Sequence, residues 1–295
     1  MRPRSVSARA CTKGSTQCRL KTNNQVWVRL KQVATDTNPT LYKVKHGLLM
    51  ARILITGSAD GLGQLAAKAL VAQGHQVVLH ARSAERARHA AQQAPGAAHV
   101  IAGDLSDLDE TKNIAHAANA WGRFDAIIHN AGVYQAPPKE LFYVNVIAPY
   151  LLTCLVQKPQ RLIYLSSSMH LNGRADLEHF EAAGGRISYS DSKLHVLMLC
   201  MAMARKWPDI YANAVDPGWV PTKMGGRNAP DDLDEGYATQ TWLAVSNDPG
   251  AKVSGRYFYH RAESPCNPQA NDVLLQERFL GLCGEITGIA FPGQG

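Results

Sequence analysis

The chain has 295 residues, of which 45% are hydrophobic, and a formal net charge of +7. That length is enough for one large α/β domain or two small ones with a substantial core, and no apolar run approaches the ~20 residues that a membrane-spanning helix needs. The charge is uneven: residues 1–49 carry a local +9, with Asp36 their one acid, while residues 50–295 sum to −2. The basic character therefore belongs to an extension and not to the folded part, which argues against a nucleic-acid-binding face.

The extension is rich in Ser, Thr and Arg and lacks an apolar period, as transit peptides and disordered arms do. At Met50 the chain reads "MARILITG" and enters a strand at once, so residues 1–49 are expected to be a dispensable upstream-start extension, with organelle targeting as the alternative. From there apolar strand-length runs alternate with helical stretches. "RILIT" is followed by the helix "GQLAAKALVAQ", "QVVLHA" by "SAERARHAAQQA", and "AHVIA" by a helix near 107–121. "FDAIIH" leads to one long helix near 138–157, "RLIYLS" to the helix that carries "SYSDSK", and "YANAVD" to a late strand "GRYFYH". Short apolar runs separated by helices predict an α/β fold, a doubly wound parallel sheet in a single domain over 50–295.

Two patterns carry chemistry. After the first strand, "TGSADGLG" places Gly57, Gly61 and Gly63 ahead of a helix, where glycines permit a tight turn and a helix N-terminus offers N–H donors to an anion. In "SYSDSK", Tyr189 and Lys193 stand one helical turn apart on one face, so an ammonium is expected to lower the pKa of the phenol and make it an acid or base. Either pattern alone arises by chance. The six cysteines, Cys11, Cys18, Cys154, Cys200, Cys266 and Cys283, show no C-x-x-C spacing and read as reduced thiols of a reducing compartment, the cytoplasm. His75, His80, His89, His99, His116 and His129 are scattered over separate elements, so no metal site is expected.

Together with "HNAG" at 129–132, "YLSSSMH" at 164–170 and "DPGWVPT" at 216–222, these two patterns fall in an order that resembles the short-chain dehydrogenase/reductase family. The resemblance covers essentially all of 50–295 and implies a Rossmann-type domain that moves a hydride between a nicotinamide and a carbonyl or alcohol substrate. It implies Tyr189 as general acid/base, Lys193 as its partner and a ligand of the nicotinamide ribose, Ser167 as the group that polarises the substrate oxygen, and Asn145 as the residue that orders a water behind Lys193. Ser166 and Ser168 are the alternative registers for Ser167. For the cofactor it implies Gly57, Ser58, Gly61, Leu62 and Gly63 in the first loop, Asp104 and Leu105 after the third strand, Asn130, Ala131 and Gly132 after the fourth, and Pro217, Gly218, Val220 and Thr222 in the nicotinamide loop. His129 departs from the Asn usual in the family.

At the end of the second strand, Ala81 stands where an NAD-binding acid would be and Arg82 follows, which favours NADP, with NAD possible. Asp60 in the glycine loop counts slightly against it. The segment between Ser167 and Tyr189 is long and similar to those of retinol-dehydrogenase-like members, which points to a lipophilic small-molecule substrate and a partial lid, and 223–240 is expected to be the mobile substrate loop. A homo-oligomer is compatible with the resemblance. The rival reading is a non-catalytic NADP-sensing regulator of the same fold. Finally, Pro149 in "VNVIAPYLL" is expected to bend its helix and free the backbone oxygen of Asn145 for a water that reaches Lys193.

Overall fold

The computed structural model describes residues 50–178, 180 and 187–293. The expectations for residues 1–49, and part of the predicted lid, lie outside them. Among the described residues the strands form one sheet of eight in the order β3-β2-β1-β4-β5-β6-β7-β8. β1 (Arg52–Ile55), β2 (Gln76–Ala81), β3 (His99–Ala102), β4 (Ala126–His129), β5 (Arg161–Leu165), β6 (Tyr211–Asp216) and β7 (Arg256–Tyr259) pair in parallel. The short β8 (Ala262–Glu263) closes the edge antiparallel to β7.

The strands are apolar on both faces because helices cover both. Side chains alternate across the pleat, so Leu54, Ile127, Leu162 and Tyr164 enter one core while Ile53, Ile55, Ile128, Ile163 and Leu165 enter the other. The helices are α1 (Gly61–Ala72), α2 (Ala84–Gln93), α3 (Leu108–Ala120), α4 (Pro138–Phe142), α5 (Ala148–Leu155), α6 (Tyr189–Lys206), α7 (Leu233–Val245) and α8 (Val273–Thr287). Every residue of α6 from Ser192 to Met203 is buried.

Three elements differ from the sequence expectation. The helix foreseen over 138–157 is split, since Tyr143–Ile147 adopts a π turn, with the Ala148 N–H donating to Tyr143 O, between α4 and α5. Pro149 has no N–H to donate, and the widened turn is how the chain absorbs it. The loop foreseen over 223–240 ends at Asp232, whose carboxylate caps α7 by accepting from the N–H groups of Asp234 and Glu235. α8 was not foreseen; Asp272 caps it at one end and Gly288, at φ 69°, ends it at the other.

The strand order reverses between β1 and β4: β2 and β3 lie to one side, β5 to β8 to the other. The loops at the carboxyl ends of β1 and β4 therefore diverge and leave a crevice.

Candidate active site

A cavity of about 460 Å³ opens in that crevice. The glycine loop forms one wall. Gly57 has φ 62°, and a Cβ there would stand 2.8 Å from Ala131 Cα, so only glycine lets the loop lie against the segment after β4. Asn130 fixes that contact by donating from Nδ2 to Thr56 O at 3.0 Å and Gly57 O at 3.1 Å, and Ala131 N–H donates to Thr56 Oγ1 at 3.0 Å. Buried His80 holds the loop from below: its Nδ1 accepts from Gly57 N–H at 3.0 Å and its Nε2 donates to Gly103 O at 2.9 Å. While α2, α3, α6, α7 and α8 all begin with a capping side chain, α1 has none, and Asp60 at its N-cap turns away. The donors of its first turn are left for an acceptor from outside.

Tyr189 and Lys193 form the opposite wall. α6 starts at Tyr189 because Ser188 and Asp191 form a reciprocal capping box: Asp191 N–H donates to Ser188 Oγ and Ser188 N–H to Asp191 Oδ2. The turn after β5, Ser168–Asn172, packs on this helix start. A Cβ on Gly173 would stand 2.5 Å from Ser190 O, so glycine permits the approach. That packing brings the Ser167 hydroxyl, which accepts from Met169 N–H at 3.3 Å, beside the Tyr189 phenol. Ser166 Oγ is turned instead to Lys193 O at 2.9 Å, and Ser168 is held by its N–H, which donates to Asp216 Oδ2 at 2.8 Å.

Lys193 is buried, with Nζ donating to Leu165 O at 2.9 Å and lying 5.4 Å from the centre of the Tyr189 ring. Burial pulls its pKa down to about 8, against the partial compensation of the Asp216 carboxylate. Tyr189 moves opposite to the sequence expectation. Burial, then Asp216, then Tyr134 push the phenol up to about 12, although the Ser167 hydrogen bond acts to lower it. The Lys193 ammonium donates to Leu165 O, and burial with the Asp216 carboxylate sets the direction of the phenol. Asn145 braces the wall from behind, donating from Nδ2 to Ser192 Oγ and Val133 O and accepting from Val133 N–H at 2.8 Å. Gly132 keeps the gap narrow, since a Cβ there would lie 3.4 Å from both Lys193 Nζ and Asn145 Oδ1.

Of the site residues expected from the sequence, the cavity brings together Gly57, Gly61, Leu62, Arg82, Asp104, Leu105, Asn130, Ala131, Gly132, Tyr189, Lys193, Pro217 and Thr222, and of the three candidate serines it is Ser166 that lines it. Gly63, Asn145, Ser167, Gly218 and Val220 are not part of this lining. Ser58 is turned into the fold: its N–H donates to His80 O and its hydroxyl to Ile55 O, so it supports the loop and is not part of the lining. His129 is likewise packed inside, stacked on Tyr164, and burial lowers its pKa to about 3.

The sequence reading missed Arg86, whose Nη2 donates to Asp60 Oδ2 at 2.6 Å, and Lys223, which reaches the same oxygen at 3.1 Å. Both line the cavity with Glu140 and Met224. The signal for Arg86 was its spacing of four from Arg82 at the start of α2. Arg82 is largely exposed, 3.9 Å from Asp104 and 3.6 Å from Glu140, beyond hydrogen-bond length in both cases.

A family model described as short chain dehydrogenase matches residues 51–233. The chain belongs to that family. A short-chain dehydrogenase acts on a CH–OH or C=O group, and this one is an enzyme of that kind. It is similar to an uncharacterised oxidoreductase of Emericella nidulans, 43% identical over 257 residues, which cover 83% of this chain and 100% of the relative. It is also similar to the short-chain dehydrogenase chyC of Penicillium rubens, 41% identical over 259 residues, which cover 82% of this chain and 100% of that one. A solved blue fluorescent protein from a metagenomic library, in complex with NADPH, shares the fold at a TM-score of 0.59 and 21% identity over 72% of this dehydrogenase and 96% of its own chain.

Proposed function

We propose that the dehydrogenase, through its domain at 50–295, transfers a hydride between NADP and an apolar carbonyl or alcohol, with Tyr189 as the general acid/base. The observation that carries this reading is the convergence of Tyr189 and Lys193, with the Ser167 hydroxyl beside the phenol, at a cavity that is also lined by a glycine loop and the uncapped start of α1.

The residues present fit a dinucleotide. Gly61, at φ 54° with open space around its missing Cβ, and the free N–H groups of α1 suit a pyrophosphate. Arg82 and Arg86 stand at the end of β2 where a 2′-phosphate would need cations, and Ala81 offers no acid to a ribose hydroxyl. The NADPH carried by the solved relative supports the same choice. Bound nicotinamide supplies or accepts the hydride. Tyr189 gives its proton to the oxygen of a reduced carbonyl or takes it from an alcohol, Ser167 holds that oxygen, and Lys193 carries the positive charge that favours the phenolate once the proton has left.

Two large exposed apolar side chains lie at this cavity: Met224 lines it, and Tyr134 meets Tyr189 edge to face at 4.8 Å. Such a pair favours an apolar substrate. The free thiols Cys154, Cys200, Cys266 and Cys283 suit a reducing compartment such as the cytoplasm.

The test is NADPH oxidation by the full chain over a panel of ketones and aldehydes of graded size and polarity. Turnover rising with apolar bulk is expected. Tight NADPH binding with no turnover on any of them would replace the enzyme with a dinucleotide sensor.

A further inference from the structure

Asp216, the last residue of β6, is buried, and its carboxylate is surrounded by donors. Oδ2 accepts from Ser168 N–H at 2.8 Å and from the Tyr257 hydroxyl at 3.1 Å, while Oδ1 accepts from Gly218 N–H at 2.9 Å. Each oxygen faces a backbone N–H, so both must accept there, and an amide would set its NH₂ against one of the two. The donors belong to separate pieces of the site: the turn that carries Ser167, the nicotinamide loop and β7.

We propose that Asp216 is a positioning residue, whose carboxylate locks the Ser167 turn and the Pro217–Gly218 turn together beside Tyr189 and serves as the counter-charge of the buried Lys193 ammonium. This rests on the reading of Tyr189 and Lys193 as the reacting pair.

The surroundings leave little choice of counter-charge. Tyr257 and Tyr259 face Asp216 from β7, His170 from the turn after β5, Tyr189 and Lys193 from α6, and Asp231 lies across Gly218. His170 is neutral: its Nδ1 donates to Ser167 O at 2.6 Å and its Nε2 accepts from Asn267 N–H at 3.1 Å. Lys193 is the cation of that set, since its Nζ donates to Leu165 O at 2.9 Å and Leu165 pairs with Val215, the residue before Asp216. Its ammonium is opposed by burial and supported by Asp216, which also raises the Tyr189 phenol. Removing the charge therefore moves both groups in one direction, toward lower pKa.

The test compares Asp216→Asn with Asp216→Glu. In the Asn variant the alkaline limb of kcat/KM for carbonyl reduction is expected to move to lower pH by about one unit, the size of effect a nearby opposite charge produces. The Lys193 Nζ resonance, followed by ¹⁵N NMR in the full chain and assigned by its absence in Lys193→Met, should titrate lower by the same amount. The Glu variant keeps the charge but not the reach, so its limb should stay in place while kcat falls by about tenfold or more through misplacement of the Ser167 turn. An unmoved Lys193 titration in Asp216→Asn overturns the counter-charge, and a wild-type kcat in Asp216→Glu overturns the positioning. If Asp216→Asn does not fold, Asp216→Ser takes its place, and failure of both neutral variants beside a folded Glu variant counts for the charge. Because the resonance is read without turnover, the proposal stands or falls separately from the assignment of Tyr189 as the acid.

Discussion

Gly63→Ala adds one methyl at the seam where α1 leaves the glycine loop. A Cβ at that position would stand 2.4 Å from Asn130 Nδ2, 2.6 Å from Gly57 O and 3.0 Å from Ser58 Cα. The first of these atoms is no flexible end, since Asn130 Nδ2 donates to Thr56 O and Gly57 O; the other two are backbone. Overpacking of this kind costs ~1–3 kcal/mol. Driving the amide out forfeits two hydrogen bonds at ~1 kcal/mol each, and the better helix propensity of alanine returns ~1 kcal/mol. The net loss is roughly 2–4 kcal/mol, which for a domain of this size lowers Tm by roughly 5–15 °C. Gly61→Ala is the matched control: at φ 54° with nothing near its missing Cβ, it carries only the left-handed backbone penalty, ~1–2 kcal/mol. Thermal melts of both variants, with NADPH affinity by fluorescence, read the difference. A Gly63→Ala protein that melts within about 2 °C of wild type would refute the close approach, because the clash would then have been relieved without cost.

Three further outcomes follow from the site. Arg82→Ala and Arg86→Ala should each weaken NADPH by about ten- to a hundredfold, as a charge-assisted contact worth ~1.5–3 kcal/mol requires, while NADH binding changes far less; titrations with the two cofactors check this, and equal losses would remove both residues from phosphate recognition. Reduction should fall as pH rises through about 8, where buried Lys193 loses its proton; a rate profile flat to pH 10 would contradict that, by an excess of about two units. The same depressed pKa lies below the ordinary 10.5, so the unfolded chain holds a proton that the folded one lacks between the two values, and the Lys193 contribution to stability rises with pH across that window. The Tm advantage of Lys193→Met over wild type should accordingly shrink from pH 8 upward.

Local pattern made the sheet legible. Each of the runs "RILIT", "QVVLHA", "FDAIIH" and "RLIYLS" became a parallel strand, because strands covered on both faces must be continuously apolar. The glycine loop and the Tyr189–Lys193 spacing were legible for a related reason, since turn and helix geometry are written in short windows. What could not be read depends on convergence. Arg86 meets Asp60 across the loop and Asp216 gathers donors from three segments, and neither meeting has a local period. The direction of the Tyr189 pKa differs from the expectation because sequence spacing shows the neighbouring ammonium but neither the burial nor the carboxylate that push the phenol up. The Pro149 effect was half legible: a distortion was expected, and it took the form of a π turn.

Tyr189→Phe tests the central claim most directly, because it deletes the transferable proton and leaves the ring that meets Tyr134. NADPH affinity is measured on the same sample as single-turnover carbonyl reduction. The account predicts nearly unchanged NADPH binding with the rate of hydride transfer lowered by ~10²–10⁴-fold, the usual worth of a general acid. A variant that binds NADPH normally and keeps more than about a tenth of the wild-type rate would contradict the assignment of Tyr189 as the proton donor.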